Sequence, residues 1–343
     1  MNPGTMTTIA GIYEVCIGVP EPISAIQYWQ QFGYRIGEVG ELSADTAYQL
    51  YAVNSPLKAV RLYHQDADHG LIRLMTWEEP INQGLGISSM KVKGNRWTTA
   101  LTDNLLGILN HADNAKAIGK TIRYSYPYWE VIYQKDRKSR PFVEPAVGVR
   151  EMLLLQPLSR QVLFQRFGYV MSHYGKINHD AAFSTSQFTH LGLVVQDDSK
   201  QTLKFYEDVL GLLRTRDDVE TSYESSLAGR DLFDLQPGEK FIVTAFDDPR
   251  SSQTDAMAAR SGRLYIVRFP ENIRLESHYT LAQPGSLGMS LYTYQVQGIE
   301  DYFDRVQSSH AQKFTNIMSN EFGEMSFSFV APDGYFWTLV EKK

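Results

Sequence analysis

The sequence predicts an α+β fold of two tandem domains built from one repeated unit, and three observations predict it. The chain has 343 residues, a length that suits about two domains of ordinary size. The order strand, helix, several strands recurs four times, with first strands centred near positions 14, 89, 190 and 291 and the last two spacings equal at 101 residues. Like units at a regular spacing are the mark of an internal repeat. Between the second and third units, residues 168–187 (GYVMSHYGKINHDAAFSTSQ) carry little periodicity and mark the boundary.

In the first unit, residues 12–19 read as a strand, 22–32 as a helix stopped by Gly33, and 60–64 with 71–77 as a hairpin joined by Gln65-Asp66-Ala67-Asp68-His69-Gly70. The second unit opens at 87–92, has a helix at 103–117 and strands at 121–133, 147–155 and 161–167. The third opens on the apolar run 188–195; Asp197 and Asp198 cap the helix that follows, with Gln201 three residues after Asp198. Leu203, Tyr206, Val209 and Leu210 then recur at helical spacing, Gly211 ends the helix, and strands follow at 240–246 and 262–269. The fourth has a strand at 289–296, a helix at 299–308 and strands at 325–330 and 335–341. The predicted domains are therefore 8–167 (modules 8–82 and 86–167) and 188–343 (modules 188–270 and 287–343), with 168–187 as linker.

Composition narrows the class. With 43% hydrophobic and 21% charged residues the chain is ordinary for a globular protein, while 20 Tyr, 17 Phe and 5 Trp supply flat surfaces for strand faces and ligand pockets. The net charge is −6. No basic footprint of nucleic-acid binding is visible, and the one basic run, 135–140, reads as a solvated turn. A single cysteine, Cys16, rules out an intramolecular disulfide and a cysteine-rich zinc site. The N-terminus lacks the pattern of a secretory signal, and no apolar stretch approaches a membrane span. A cytoplasmic protein that takes a small-molecule ligand, without nucleic-acid or membrane partner and with a homodimer left open, is the expectation. Neither a Gly-x-Ser-x-Gly elbow, a phosphate-binding loop nor a dinucleotide fingerprint is present.

Three segments carry a resemblance: FTHLGLVV at 188–195, LKFYEDVLGL at 203–212 and APDGYFWTLVE at 331–341, with a weaker echo in Tyr28-Trp29-Gln30-Gln31-Phe32-Gly33-Tyr34. In this order they resemble the vicinal-oxygen-chelate superfamily, which includes glyoxalase I, extradiol dioxygenases, and fosfomycin-resistance and bleomycin-binding proteins. The resemblance implies βαβββ modules that pair into cup-shaped open barrels. It also implies metal ligands (His, Gln or Glu) projecting into each cup from the first and last strands of each module, holding a divalent ion that polarises a substrate with two neighbouring oxygens.

Carried over position by position, that ligand set is incomplete. The third module offers His190, then Tyr265 and Ile266; the fourth aligns Leu291 and has Thr338 in place of the glutamate. The first offers Glu14 and Leu74, the second Ser89 and Leu163. One good ligand per half does not make a three- or four-donor site, so no cofactor is expected. A divalent metal (Fe, Mn, Zn or Ni), with His190 as ligand, enters only if the register slips by a residue, which turns the opposite strand face inward. Glu341 lies on the other face from Thr338.

Glu14 and His190 are the candidate catalytic residues. Glu14 sits among apolar neighbours, where burial raises a carboxyl pKa and suits acid–base work; the alternative is a hydrogen-bonded polar residue at a domain edge. His190 shares a strand face with Gly192 and Val194, the glycine leaving space beside it for acid–base or binding work, against a structural histidine. Cys16 reads as packing, and His64, Asp66, Asp68 and His69 as a polar turn or a metal site on a hairpin. Tyr124, Tyr126 and Tyr128 share a face of a predicted strand that also carries Trp129 and Tyr133; with Arg150 and Thr338 they are the candidate substrate-binding residues. Arg96-Trp97 is a further candidate contact for an anionic group. Three functions stand open: an enzyme using Glu14 or His190 without the complete family metal site, a ligand-sequestering protein of the drug-resistance kind, and a metal-dependent extradiol dioxygenase or glyoxalase-like lyase.

Overall fold

The computed structural model describes residues 8–133, 147–196, 200–341 and 343. The basic run 135–140 and the capping pair Asp197 and Asp198 lie outside them. The first module runs β1 (Thr8–Gly18), α1 (Pro22–Gln31), β2 (Tyr34–Leu42), α2 (Ala44–Tyr51), β3 (Leu57–His64) and β4 (Leu71–Trp77). Gly33, at φ +87, turns the chain out of α1 as its sequence position predicts. After the two-residue β5 (Val92–Lys93), the second module comprises β6 (Arg96–Thr102), α3 (Leu105–Ala117), β7 (Arg123–Tyr124), β8 (Tyr128–Tyr133), β9 (Val147–Gln156) and β10 (Ser159–Phe167).

The third module repeats the first: β11 (Thr185–Gln196), α4 (Lys200–Lys204) running into a π-helical turn at Phe205–Val209, β12 (Leu213–Ser222), α5 (Leu227–Phe233), β13 (Lys240–Asp247) and β14 (Arg263–Phe269). After β15 (Glu276–Ser277), the fourth has β16 (Gly288–Gln297), α6 (Ile299–Gln307), β17 (Met318–Ser319), β18 (Met325–Val330) and β19 (Phe336–Glu341). Four βαβββ modules are thus present. The first and third carry an extra helix, α2 or α5, each N-capped by a serine (Ser43, Ser226) and each closed by a left-handed non-glycine residue (Ala52, Asp234).

The modules do not pair within halves of the chain, as the predicted domain limits require. β1 pairs antiparallel with β16, giving one sheet in the order β17-β18-β19-β16-β1-β4-β3-β2. β11 pairs antiparallel with β6, giving the order β12-β13-β14-β11-β6-β10-β9-β7, with β8 on β9. The outer modules therefore make one cup and the inner modules the other. Strand patterns fix which face is buried and leave open which module supplies the neighbouring edge.

Two further expectations change. The second module opens on β6, not on 87–92; Arg96, Thr98, Thr99 and Thr102 interrupt its apolar run although the strand is buried throughout. The segment 168–187 is no loose linker: Tyr174 and Phe183 are buried, and Phe183 packs on Phe32 of the first module at 4.8 Å between ring centroids.

The convex faces of both sheets and the helices share one core that draws on all four modules, including Val15, Leu74, Leu163, Leu191, Tyr292 and Trp337. Where the sheets cross, backbone bonds stitch the first module to the third, Ile12 N to Gly262 O (2.8 Å) and Phe188 N to Gly70 O (3.3 Å), and Gly70 N to Ile12 O (3.0 Å) and Gly262 N to Thr189 O (2.7 Å) continue them within each module. Beside them His69 Nε2 meets Ser261 Oγ and His69 Nδ1 meets Asp68 Oδ1, both at 2.5 Å. This is the connectivity of a Ser–His–Asp relay, but Ser261 is 0% exposed and its amide donates to His173 O at 2.9 Å. No substrate reaches it, and the relay serves as a bolt between sheets. Replacing Ser261 by Ala strands a buried imidazole nitrogen, and the urea midpoint should fall by the equivalent of about 1–3 kcal/mol with an unchanged slope.

Candidate functional site

The cup of the outer modules is filled by the chain itself. Its floor is apolar and includes Cys16, Leu50, Tyr51, Met75, Trp77 and Leu291. Above the floor, Glu14 is 0% exposed, accepts from Arg61 Nε at 2.6 Å and is bridged by Arg73 Nη2. Thr293 Oγ1 donates to it at 2.9 Å. The turn between β17 and β18 then reaches in. Glu324 takes Arg61 in a bidentate pair at 3.0 and 2.8 Å, Glu321 takes Arg73 at 3.0 Å, and Tyr51 Oη donates to Glu321 at 2.9 Å. The Phe322 ring covers both guanidinia, at 4.3 and 5.2 Å from its centroid.

Glu14 is therefore not a poised acid with a raised pKa. Burial raises its pKa, but the charges and hydrogen bonds of Arg61 and Arg73 outweigh burial and hold it near 2, below the usual 4.5. Thr338 lies in the same cup, fully buried, with its hydroxyl 2.7 Å from Ser328 Oγ. Leu74 faces the convex core, and it is Arg73 and Met75 that face the cup. Cys16 is buried in the floor, as packing predicts, and burial pushes its thiol up.

Among the described residues the cup of the inner modules is open. A cavity of about 950 Å³ runs into it, bounded by Thr99, Phe164, Arg166, His190, Arg263 and Tyr265 near the mouth and by Trp97, Phe233, Phe241 and Val267 below. His190 meets the Tyr265 ring edge-on at 4.7 Å and lies 5.7 Å from the Phe164 centroid. Its Nδ1 is 3.1 Å from Thr189 Oγ1 and 3.2 Å from Tyr174 Oη. Thr189 spends its only hydroxyl proton on Thr99 O at 3.1 Å, so towards His190 it can only accept. The tautomer that meets the Thr189 contact carries its proton on Nδ1 and leaves Nε2 basic. Gly192 leaves no empty space beside His190: a Cβ there would lie 1.9 Å from the Trp97 indole, which occupies that side.

The remaining predicted site residues scatter. Pro127 separates β7 from β8, so the three tyrosines do not share a face. Tyr124 Oη bonds Asp113 of α3 at 2.5 Å, Tyr126 is 67% exposed, and Tyr128 Oη bonds Asp231 of α5. Trp129 meets Phe167 edge-on at 5.2 Å with Arg150 lying over both rings, away from the cup-lining Glu130 and Glu151. The side chain of Tyr133 lies outside the described residues. Leu163 faces the convex core. Ser89 lies in a loop and donates to Asp234 at 2.6 Å. Arg96 is buried on the carbonyls of Ala282 and Phe336, and only its neighbour Trp97 lines the cup. Glu341 caps α6 through the amides of Gly298 and Ile299, on the face predicted for it. His64 Nε2 donates to Thr185 O at 3.0 Å while Asp66 pairs with Lys176, so the hairpin gathers no ion site.

The cup residues that sequence reasoning missed, Arg166 and Arg263, stand in period-two register with Phe164 and Tyr265. That alternation was the available signal. The family's metal does not fit this donor set. Arg263 and Tyr265 stand on the last strand beside His190, Thr99 is its partner on the first strand, and a guanidinium repels a cation. Among the described residues no three His, Cys, Asp or Glu side chains converge. A second cleft of about 790 Å³ lies outside the cups, lined by Lys204, Asp208, Tyr279, His310 and Asp333. Burial pushes Asp333 up to about 6, and Tyr206 Oη donates to it at 2.6 Å.

No family model and no curated protein matches the sequence. Solved structures do. A point mutant of glyoxalase I of Zea mays superposes with a TM-score of 0.54 at 11% identity, over 98% of this chain and 93% of that one. The same enzyme without that substitution gives 0.51 at 12%, over 98% and 93%. A Bacillus subtilis protein with a provisional dioxygenase name gives 0.53 at 12%, over 97% and 86%.

Two buried groups give the fold an acid limit. His64, lowered to about 4 by burial, binds its proton more readily in the unfolded chain. Its contribution is complete above pH 6.5 and shrinks as pH falls to about 4. Glu14 follows, its contribution complete above pH 4.5 and shrinking towards pH 2. Changing Glu14 to Ala leaves two guanidinia short of a partner; the urea midpoint at pH 7 should drop by about 3–5 kcal/mol equivalent, and the lower limb of the pH profile should flatten. A midpoint unchanged by the substitution contradicts the network's role.

Proposed function

We propose that this chain, which has the vicinal-oxygen-chelate fold, is a small-molecule enzyme that works in the cup of its second and third modules, with His190 as general base and without the complete family metal site. The observation that carries this reading is the His190 imidazole at the wall of a roomy cup, with Nδ1 fixed by Thr189 and Tyr174. A fixed tautomer aims one basic nitrogen at whatever fills the space. The metal of the family would polarise neighbouring oxygens when bound, but the donors around His190 do not match it, and no step passes through it. The apolar floor at Trp97, Phe233 and Phe241 holds the body of the substrate and excludes water. His190 Nε2 takes the proton from a hydroxyl-bearing carbon next to a carbonyl and returns it to the carbonyl carbon, while the hydroxyl proton passes to the former carbonyl oxygen, which completes an isomerisation of the glyoxalase type.

A sequestering protein of the drug-resistance kind is the second reading, favoured by the aromatic floor. Turnover separates the two. In deuterated buffer, α-hydroxy ketones and 2-oxoacids with aryl substituents should exchange their acidic C–H for deuterium. His190→Gln should slow that exchange by about 100-fold or more, and prior treatment with chelator should leave it unchanged. Exchange that survives His190→Gln contradicts the proposal. Exchange lost with chelator and restored by Fe²⁺, Mn²⁺, Zn²⁺ or Ni²⁺ returns the metal-dependent reading.

A further inference from the structure

The charges of the open cup do not cancel in place. Arg263 is spent on Asp247, bonded through Nε and through Nη2 at 2.9 Å, with Nη1 on Tyr265 Oη at 3.2 Å. Arg214 pairs with Glu207 at 2.7 Å. Glu130 is occupied at the N-terminus of α5, accepting from Ser226 Oγ at 3.0 Å and Ala228 N at 3.2 Å.

Arg166 stands apart. It donates through Nη2 to the carbonyl of Tyr174 at 2.9 Å. Its guanidinium lies over the rings of Phe164, Tyr169 and Tyr174 at 5.3, 5.6 and 5.3 Å. The Tyr169 hydroxyl is in hydrogen-bonding reach of the guanidinium, and among the described residues its Nε is buried without a hydrogen-bond partner. Among the described residues no carboxylate pairs with it. A guanidinium held between aromatic faces with an unmet donor is an unfinished site, because an unsatisfied buried donor is costly and an ionised acceptor relieves it best. Arg166 and His190 also share neighbours: Tyr174 touches both, through its carbonyl and its hydroxyl, and the Phe164 ring contacts both. One small molecule spans the two.

We infer that the cup takes an aryl acid, a flat apolar body on the Trp97–Phe233–Phe241 floor carrying a carboxylate or similar anionic group that Arg166 holds beside His190. The inference rests on the inner cup being the working one and adds the ligand's chemical class. Arg166 sets the selection: the floor accepts any flat apolar body of suitable size, and the guanidinium prefers the anion over its neutral counterpart. In cup geometry Arg166 is the last inward residue of β10, at the mouth, so the acid end lies outward and the aryl end inward.

The test uses the matched pair 2-naphthoate and 2-naphthamide, nearly identical in shape and different in charge, titrated into the full-length protein by calorimetry while NMR follows the His190 ring. Wild type should bind naphthoate at least about tenfold tighter than the amide, a difference of about 1.4 kcal/mol. Arg166→Met should remove that preference and leave amide binding unchanged, which also reports that the variant is folded. Arg166→Lys should recover part of the preference, since it restores the charge without the planar fork. Equal affinity of wild type for the two probes, or a preference that survives Arg166→Met, overturns the anion assignment; a shift of the His190 ring by naphthamide then shows the cup itself still stands. Binding of neither probe, with an unmoved His190 ring, overturns both.

Discussion

The structure turns on the buried ion network of Glu14, Arg61, Arg73, Glu321 and Glu324. Two guanidinia in a dry cup are tolerable only with carboxylates directly on them, since the loss on removing a partner exceeds what an intact buried pair adds. The partners come from two places. Glu14 is on the first strand, and Glu321 and Glu324 sit in a turn 248 and 263 residues from the arginines they bind, Arg73 and Arg61. That turn is drawn into the cup, Phe322 closes over it, and the space in which the fold family places its ligands is taken. Gly40 permits the approach, because a Cβ there would stand 1.8 Å from the Glu321 carbonyl oxygen. Among the described residues the sister cup has no such plug; Asp247 is tied to Arg263 and Glu130 to the start of α5, and a cavity of about 950 Å³ lies above its floor. A repeated architecture has thus filled one cup with a buried ion network and, among the described residues, kept a cavity in the other.

Pairing across the chain makes the division possible. The outer modules close one sheet and the inner modules the other, so neither half of the chain owns a complete cup. The stitching at Ile12, Gly70, Thr189 and Gly262, with the Asp68–His69–Ser261 bolt beside it, ties β1 to the strand that bears His190.

The modules and the inward face of His190 were legible in the sequence, because apolar runs and the glycine stops at 33 and 211 each have a local physical cause. Module partnership was not, since antiparallel edges are chosen by geometry that no local pattern records. The strand Arg96–Thr102 hid behind buried polar residues: Arg96 and Thr102 give their side-chain protons to backbone carbonyls, and Thr98 and Thr99 are buried beside them. Reading Glu14 as a buried carboxylate among apolar neighbours gave the right environment and the wrong chemistry. Its counter-charges Arg61 and Arg73 lie within apolar strands where an arginine does not look like a core residue, and they reverse the expected direction of its pKa. The tyrosines near 126 looked like one wall because alternation was carried through Pro127, which ends one strand before the next begins.

The most direct test of this division of labour is a crystal structure of the protein soaked in phenol, a probe small enough for either cup. The account predicts phenol on the Trp97–Phe233 floor below His190, and an undisturbed Glu14–Arg61–Arg73 network with Glu321 and Glu324 in place. Phenol between Arg61 and Arg73, with the turn that bears Glu321 and Glu324 displaced and the His190 cup empty, would contradict it.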